Sequence, residues 1–283
     1  MRQLKKLFAV MLVSLTVLTG CSLPGLSSSS SEGIAITSMT TTEAQIMSHM
    51  TRLMIEHYSD GEIQPTMINN LGSSTIQHYA LLTGDANVSG VRYTGTDITG
   101  VLDLPPVNDP EVAMEQTQKG FDEQFDMKFY DSYGFDNTYA FMVTRETAEE
   151  YDLQTTSDLA EYTDEFAVGV DTSWFNRPGD GYPAFQEAYG FAFDNIRAMQ
   201  ISLVYEALST GSLDLALGYT TDGRIPAYDL VVLEDDLQFF PPYDASPFAT
   251  HEIIEEYPVV DEALSRMTGT VSTETMQQLN YEA

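Results

Sequence analysis

The chain has 283 residues, of which 43 are acidic and 12 basic, for a formal net charge of −31. So strong a negative field repels nucleic acid phosphates and anionic lipid headgroups and excludes both as partners held by charge. Hydrophobic residues still make up 43 % of the sequence, so the charge does not signal disorder.

The first residues set the compartment. Arg2, Lys5 and Lys6 precede an uncharged apolar run, 7–18, that is too short to span a bilayer and is built like a secretory signal. It ends in Leu18-Thr19-Gly20-Cys21, which resembles a bacterial lipobox, with Cys21 as the acylated residue. Cys21 is also the only cysteine, so no intramolecular disulfide can form. Residues 22–31, rich in Ser, Gly and Pro, read as a flexible tether. The expected organisation is a signal peptide over 1–20, a tether over 21–32, and a mature protein on the extracytoplasmic face of a bacterial cell membrane. A lipid anchor at Cys21 with several acyl tails would hold it there. Loss of residues 1–20 removes three basic residues and no acid, which takes the net charge to −34. With four lysines in all, such a surface suits either a high-salt habitat or a generally acidic extracellular protein.

Strand and helix then alternate. Residues 33–38 form a strand, and Ser38 or Thr40 can cap a helix from about Thr42. In that helix Ile46, Met50, Leu53, Met54 and His57 share a face, which assigns His57 to packing. A strand over 63–68 carries Pro65 as an edge or break, followed by a helix over 75–82 and a strand over 87–93. Asp109-Pro110-Glu111 opens another helix, with an N-cap and then proline at the first position. Downstream come a strand over 139–143, a helix over 156–166, a strand over 167–170, a helix over 199–208, and strands over 213–219 and 228–233. The alternation points to α/β lobes with mostly parallel sheets.

No catalytic signature accompanies this pattern. His49, His57, His78 and His251 form no metal-binding spacing, and no nucleophile elbow or phosphate-binding glycine loop is present. Residues 171–182 hold two aspartates around a glycine-rich turn but lack calcium-loop spacing. The reading is of a protein that is not an enzyme and uses no cofactor or metal.

Several segments together resemble the substrate-binding lipoproteins of osmoprotectant ABC importers, the Opu-type receptors for glycine betaine, carnitine and choline. They include Asn69-Asn70-Leu71-Gly72-Ser73-Ser74, Arg92-Tyr93-Thr94-Gly95-Thr96-Asp97 and the stretch from Asp131 to Phe141. Gly169-Val170-Asp171, Gly179-Asp180-Gly181-Tyr182, the stretch from Tyr219 to Ile225 and Phe240-Pro241-Pro242-Tyr243-Asp244-Ala245-Ser246-Pro247 continue it in the same order. The resemblance implies a type II periplasmic-binding-protein fold: two α/β lobes joined by a two-segment hinge. Lobe I would comprise 33–131 with 235–283, and lobe II 132–234. It also implies permease subunits as partners and a small quaternary-ammonium ligand. Chains of this family continue past Thr273–Glu282 into another helix, whose absence would leave apolar surface exposed on lobe I.

A trimethylammonium group donates no conventional hydrogen bond, so its receptor must hold it by shape and by aromatic faces, each worth about 0.5–2 kcal/mol. The family's cage of four tyrosines maps onto Tyr93, Tyr139, Tyr219 and Tyr243. Composition alone does not single these out among 16 tyrosines. Thr96 matches the position that meets the ligand's polar end, where a neutral donor favours a betaine carboxylate and an acid would favour choline. At Thr37 some relatives carry a glutamine that reaches the ligand; threonine is shorter, so it either falls short of the ligand or meets it through a bridging water. Two other readings stand beside this one: a receptor for another methylated ammonium compound such as ergothioneine, and a sensory or adhesive lipoprotein.

Overall fold

The computed structural model describes residues 33–177 and 179–283. The expected signal segment, the proposed lipidation site Cys21 and the expected tether lie outside the described residues. The chain begins with β1 (Ala35–Met39), α1 (Thr42–Tyr58), β2 (Thr66–Leu71), α2 (Ser74–Leu82), β3 (Val88–Tyr93), α3 (Thr94–Gly100), α4 (Pro110–Phe125) and β4 (Met127–Phe129). It then crosses to β5 (Tyr139–Thr144), α5 (Arg145–Glu150), a 3-10 helix (Thr156–Tyr162), β6 (Ala167–Asp171), α6 (Thr172–Phe175), α7 (Tyr182–Tyr189) and β7 (Asn195–Met199). The same half continues through α8 (Ile201–Ser209), β8 (Leu215–Tyr219), α9 (Arg224–Ala227) and β9 (Leu230–Val232). The chain returns for β10 (Ala245–Thr250), α10 (His251–Glu256), α11 (Pro258–Ser265) and α12 (Thr273–Glu282).

Two five-stranded sheets result, ordered β2-β1-β3-β10-β4 and β7-β6-β8-β5-β9. Each is packed on both faces, and the period-2 alternation of its strands shows how. In the second sheet Phe141, Val143, Leu215 and Leu217 point into a cluster around Trp174, Phe185, Phe193 and Phe240. Met142 and Ala216 point the other way, against Val204, Tyr205 and Leu208 of α8. The first sheet does the same. Ile34 and Ile36 meet Met47 and Ile55 of α1 and Val260 of α11, while Ala35 meets Leu81, Phe121 and Phe248. This is the two-lobed α/β arrangement that the resemblance implies.

Two backbone crossings join the sheets and run side by side. Tyr133 N donates to Ala245 O at 2.8 Å, Ala245 N to Phe135 O at 3.1 Å, and Asn137 N to Tyr243 O at 3.2 Å. Asp136 and Asp244 form an antiparallel bridge between them.

Several local expectations are corrected. Thr41, not Ser38 or Thr40, caps α1, because its hydroxyl is placed to accept from Ala44 N at 3.4 Å. The buried face of α1 runs through Ala44, Met47, Ser48, Thr51 and Ile55, and Leu53 is 54 % exposed. The sequence stripe sits to one side of that face because small polar residues, Ser48 and Thr51, take the closest approach to β3 and the neighbouring core. His57 is exposed at the helix end and edge-on to Tyr58. Pro65 cannot donate, so pairing with β1 starts at Thr66 and the strand runs to Leu71 rather than over 63–68. The segment expected as a helix over 156–166 makes only a 3-10 turn, Thr156–Tyr162, opened by a capping box between Thr155 and Asp158.

The sheets are mixed rather than mostly parallel. β10 is antiparallel to β3 and β4, and β5 is antiparallel to β8 and β9. These are the strands that enter each sheet straight from a crossing, without a helical return to restore direction.

Candidate functional site

Tyr139 and Tyr219 are directly opposed in the register of β5 and β8. Their ring centroids are 4.7 Å apart with planes at 29°, and their hydroxyls lie 2.9 Å from each other. Tyr139 also donates to Asp171 Oδ2 at 3.2 Å. Asp171 ends β6 and caps α6, accepting from Trp174 N and the Ser173 hydroxyl. Burial, then the Tyr219 hydroxyl, pushes the Tyr139 phenol up, so it stays a donor. Tyr219 is fixed from behind, its backbone N–H donating to Tyr205 Oη at 2.7 Å.

Arg177, just beyond α6, completes this wall. Its Nη2 donates to Tyr139 Oη at 3.2 Å, its guanidinium carbon lies 5.2 Å from the Tyr139 ring centroid, and its Nη1 pairs with Asp180 at 3.2 Å. A cation therefore already packs over this aromatic face, as a ring quadrupole favours.

Tyr243 comes from the returning crossing. Its backbone N–H donates to Asp136 Oδ1 at 2.6 Å, and the flanking Pro242 O accepts from Thr94 Oγ1 at 3.2 Å. A Cβ on Gly95 would stand 2.7 Å from Pro242 O and 3.1 Å from the Tyr243 ring, so only glycine permits this approach. A cavity of about 700 Å³ opens here, with Gly95, Ile98 and Thr99 on one side, Arg177, Asp180 and Glu187 on the other, and Tyr243 between. Burial raises the Tyr243 hydroxyl, and Asp180, Arg177 and Tyr139 all act on it.

Tyr93 ends β3, is 9 % exposed, and donates to Glu43 Oε1 at 2.5 Å. Asn137 Nδ2 donates to the same oxygen at 2.9 Å, two residues before Tyr139. A second cavity of about 240 Å³ lies against Glu43, Asn137, Tyr219, Thr221 and Asn280. The structure thus pairs Tyr139 with Tyr219, places Tyr243 and Arg177 on the wall of the same cavity, and links Tyr93 through Glu43 to Asn137, two residues before Tyr139. Among the described residues neither Tyr93 nor Tyr243 makes a ring contact with another of the four; the stacked pair is Tyr139 with Tyr219.

Thr96 is half-buried in the first turn of α3, beside the cavity-lining Gly95. Thr37 is fully buried within β1: its hydroxyl donates to Val88 O at 3.4 Å and accepts from Gln77 Nε2 at 3.3 Å. It lines neither cavity.

Sequence reasoning passed over Arg177, Glu43, Asn137 and Asp136. Arg177 is the one cation inside the acidic 171–182 stretch, and that isolation was its signal. Glu43 is an acid in the first turn of a helix, a position where acids are common for reasons of the helix dipole alone. No group of three or more His, Cys, Asp or Glu among the described residues is arranged to hold a metal, and none of their helices is long and apolar enough to cross a membrane.

Comparison with known proteins gives consistent matches. The family described as the substrate binding domain of ABC-type glycine betaine transport systems matches residues 32–283. A carnitine transport binding protein of Listeria monocytogenes, OpuCC, is 49 % identical over 278 residues, covering 98 % of this chain and 90 % of the relative. An ergothioneine transport permease/ergothioneine binding protein of Helicobacter pylori is 30 % identical over 250 residues, covering 88 % of this chain and 44 % of the relative. A solved structure described as a glycine betaine/carnitine/choline ABC transporter superposes with a TM-score of 0.87 at 59 % identity, covering 88 % of this chain and 92 % of the other. The unliganded YehZ protein of Escherichia coli shares the fold, with a TM-score of 0.77 at 21 % identity over 89 % of this chain and 92 % of that one.

Proposed function

The chain belongs to the family of substrate-binding domains of ABC-type glycine betaine transport systems, and from that premise we propose that it captures a trimethylammonium carboxylate, glycine betaine or carnitine, for an ABC importer. The observation that carries this reading is the Arg177 guanidinium over the Tyr139 ring, 5.2 Å from its centroid, beside the Tyr219 ring. A ligand with a methylated cation at one end and a carboxylate at the other satisfies both groups at once. Its ammonium takes the tyrosine faces, and its carboxylate draws Arg177 into a charge-assisted pair. Choline carries no carboxylate, so Arg177 would keep Asp180 as its anion and gain no pair with the ligand.

In this reading Tyr93, Tyr139, Tyr219 and Tyr243 form the cage, and Thr96 contacts the polar end of the ligand. Thr37 acts only by supporting β1. The lobes are taken as 33–131 with 235–283, and 132–234; the division of strands between the two sheets supports those limits. Because the cage draws on both lobes, ligand binding would favour one lobe arrangement, which the permease subunits would recognise. Acylation at Cys21 would hold the receptor at the membrane surface.

Titration calorimetry of residues 33–283 against glycine betaine, carnitine, choline and ergothioneine tests the assignment. Saturable binding of betaine or carnitine ahead of choline supports it. Binding of ergothioneine alone would move the ligand, and no binding by the folded protein would overturn the reading.

A further inference from the structure

Glu43 lies in the first turn of α1 and is 4 % exposed. Its Oε1 accepts from Tyr93 Oη at 2.5 Å and from Asn137 Nδ2 at 2.9 Å, and its Oε2 accepts from Asn280 Nδ2 at 3.3 Å. All three donors are neutral. Among the described residues no Lys, Arg or His is ion-paired with it. A carboxylate so deeply buried is disfavoured unless a positive charge compensates it, and hydrogen bonds alone offset only part of that penalty. The α1 N-terminus contributes some compensation.

The phenol of Tyr93, one of the four proposed cage rings, is bonded directly to this carboxylate. Burial raises its hydroxyl well above the usual range and Glu43 raises it further, so the proton stays on Tyr93 and is offered to Glu43. A phenol donating to an anion carries more electron density on its ring, which deepens the face a cation seeks. The bond also removes the rotational freedom of that side chain.

We infer that Glu43 is a positioning residue that fixes Tyr93 and, through it, supplies the negative potential that selects a charged trimethylammonium over an uncharged group of the same shape. This rests on the proposed osmolyte reading. The ligand's cation is then the counter-charge that Glu43 lacks in the protein itself. Asn137 and Asn280 join the crossing and α12 to the same carboxylate, so the arriving charge acts where three parts of the chain meet.

The test uses the full chain and two ligands: glycine betaine and tert-butylacetate, which replaces the trimethylammonium by an uncharged tert-butyl group. Glu43→Gln keeps an acceptor for Tyr93 but removes the charge. It should weaken betaine about tenfold while changing tert-butylacetate by less than about twofold. In a Tyr93→Phe background the same substitution should change betaine by less than about twofold, because the two side chains act as one unit. Equal weakening of both ligands, or additive losses in the double variant, would overturn the inference and leave Glu43 a structural acid. Should Glu43→Gln not fold, Tyr93→Phe alone must reduce the betaine-to-tert-butylacetate preference about tenfold, and an unchanged preference overturns it. Failure of the wild-type chain to bind betaine would be distinct, since it would remove the osmolyte reading first.

Discussion

The backbone N–H of Tyr243 donates to the carboxylate of Asp136 at 2.6 Å, pinning the returning crossing to the outgoing one at a residue that walls the larger cavity. Burial lifts that carboxyl from 3.8 to about 7; the Tyr243 N–H opposes the rise, and Asp244 and Glu43 add to it. The folded protein therefore holds a proton on Asp136 that the unfolded chain has already released between these values. Stability should fall as pH rises through that window and level off above about 7. The side chain keeps some solvent contact, so the swing it causes is set at about 1 kcal/mol rather than the full linkage value. Urea titrations at roughly pH 5 and pH 8 should show this fall in the wild type and a flatter profile in Asp136→Asn. Identical slopes would show that Asp136 titrates normally.

Arg177 should separate ligands by their anionic end. Removing the guanidinium with Arg177→Gln is expected to weaken betaine and carnitine by about 10- to 100-fold, the range of a charge-assisted pair. Choline should be unaffected or bind more tightly, since a competing cation leaves the Tyr139 face. Calorimetry with the three ligands decides. A uniform loss would mean that Arg177 only shapes the loop around Asp180. Thr96→Asp should push preference the same way, toward choline, by repelling carboxylates.

Much of this arrangement is legible in the sequence, and the reasons differ by element. The α/β alternation and the Asp109-Pro110 helix start follow from local chemistry, which acts within a few residues. Tyr139 and Tyr219 lie in strands that read as strands from the sequence, the first opening its strand and the second closing its own, so both are expected at strand ends. β10 escapes such a reading because Pro247 interrupts it; the structure accommodates the proline where the pairing with β3 shifts register between Ser246 and Phe248. Glu43 and Arg177 escape it for another reason. Their partners are 50 and 38 residues away in sequence, and no local pattern records a contact of that range.

Beside the site, Arg92 and Asp97 are both fully buried and joined by two bonds, Nε to Oδ2 at 2.8 Å and Nη2 to Oδ1 at 2.5 Å. Burial raises the Asp97 carboxyl and Arg92 opposes the rise. The pair ties the end of β3 to α3 and so fixes where Tyr93 and Thr96 sit. Asp97→Asn leaves an uncompensated guanidinium in the core and should lower unfolding free energy by about 3–5 kcal/mol. Replacing both, Arg92→Met with Asp97→Leu, should be milder than the single change. Urea midpoints measure both, and a loss under about 1 kcal/mol in the single variant would show that water reaches Arg92.

Gly95 gives the sharpest separation of site from scaffold. It lies under Tyr243, and an added methyl would sit 2.7 Å from Pro242 O, a backbone atom, and 3.1 to 3.2 Å from the ring. A flexible side chain could swing away, whereas a carbonyl in a crossing already bonded to Thr94 and Asp136 cannot move alone. Gly95→Ala should therefore displace the Pro242–Tyr243 segment from α3. Helix propensity favours alanine at this position by about 1 kcal/mol, so overall stability should change little. Betaine affinity should nevertheless drop about tenfold or more, because a cation–π contact decays steeply as its ring retreats. Calorimetry paired with a thermal melt reads both effects. Unchanged affinity in a stable Gly95→Ala protein would show that Tyr243 is not a wall of the ligand site, and the cage would shrink to Tyr93, Tyr139 and Tyr219.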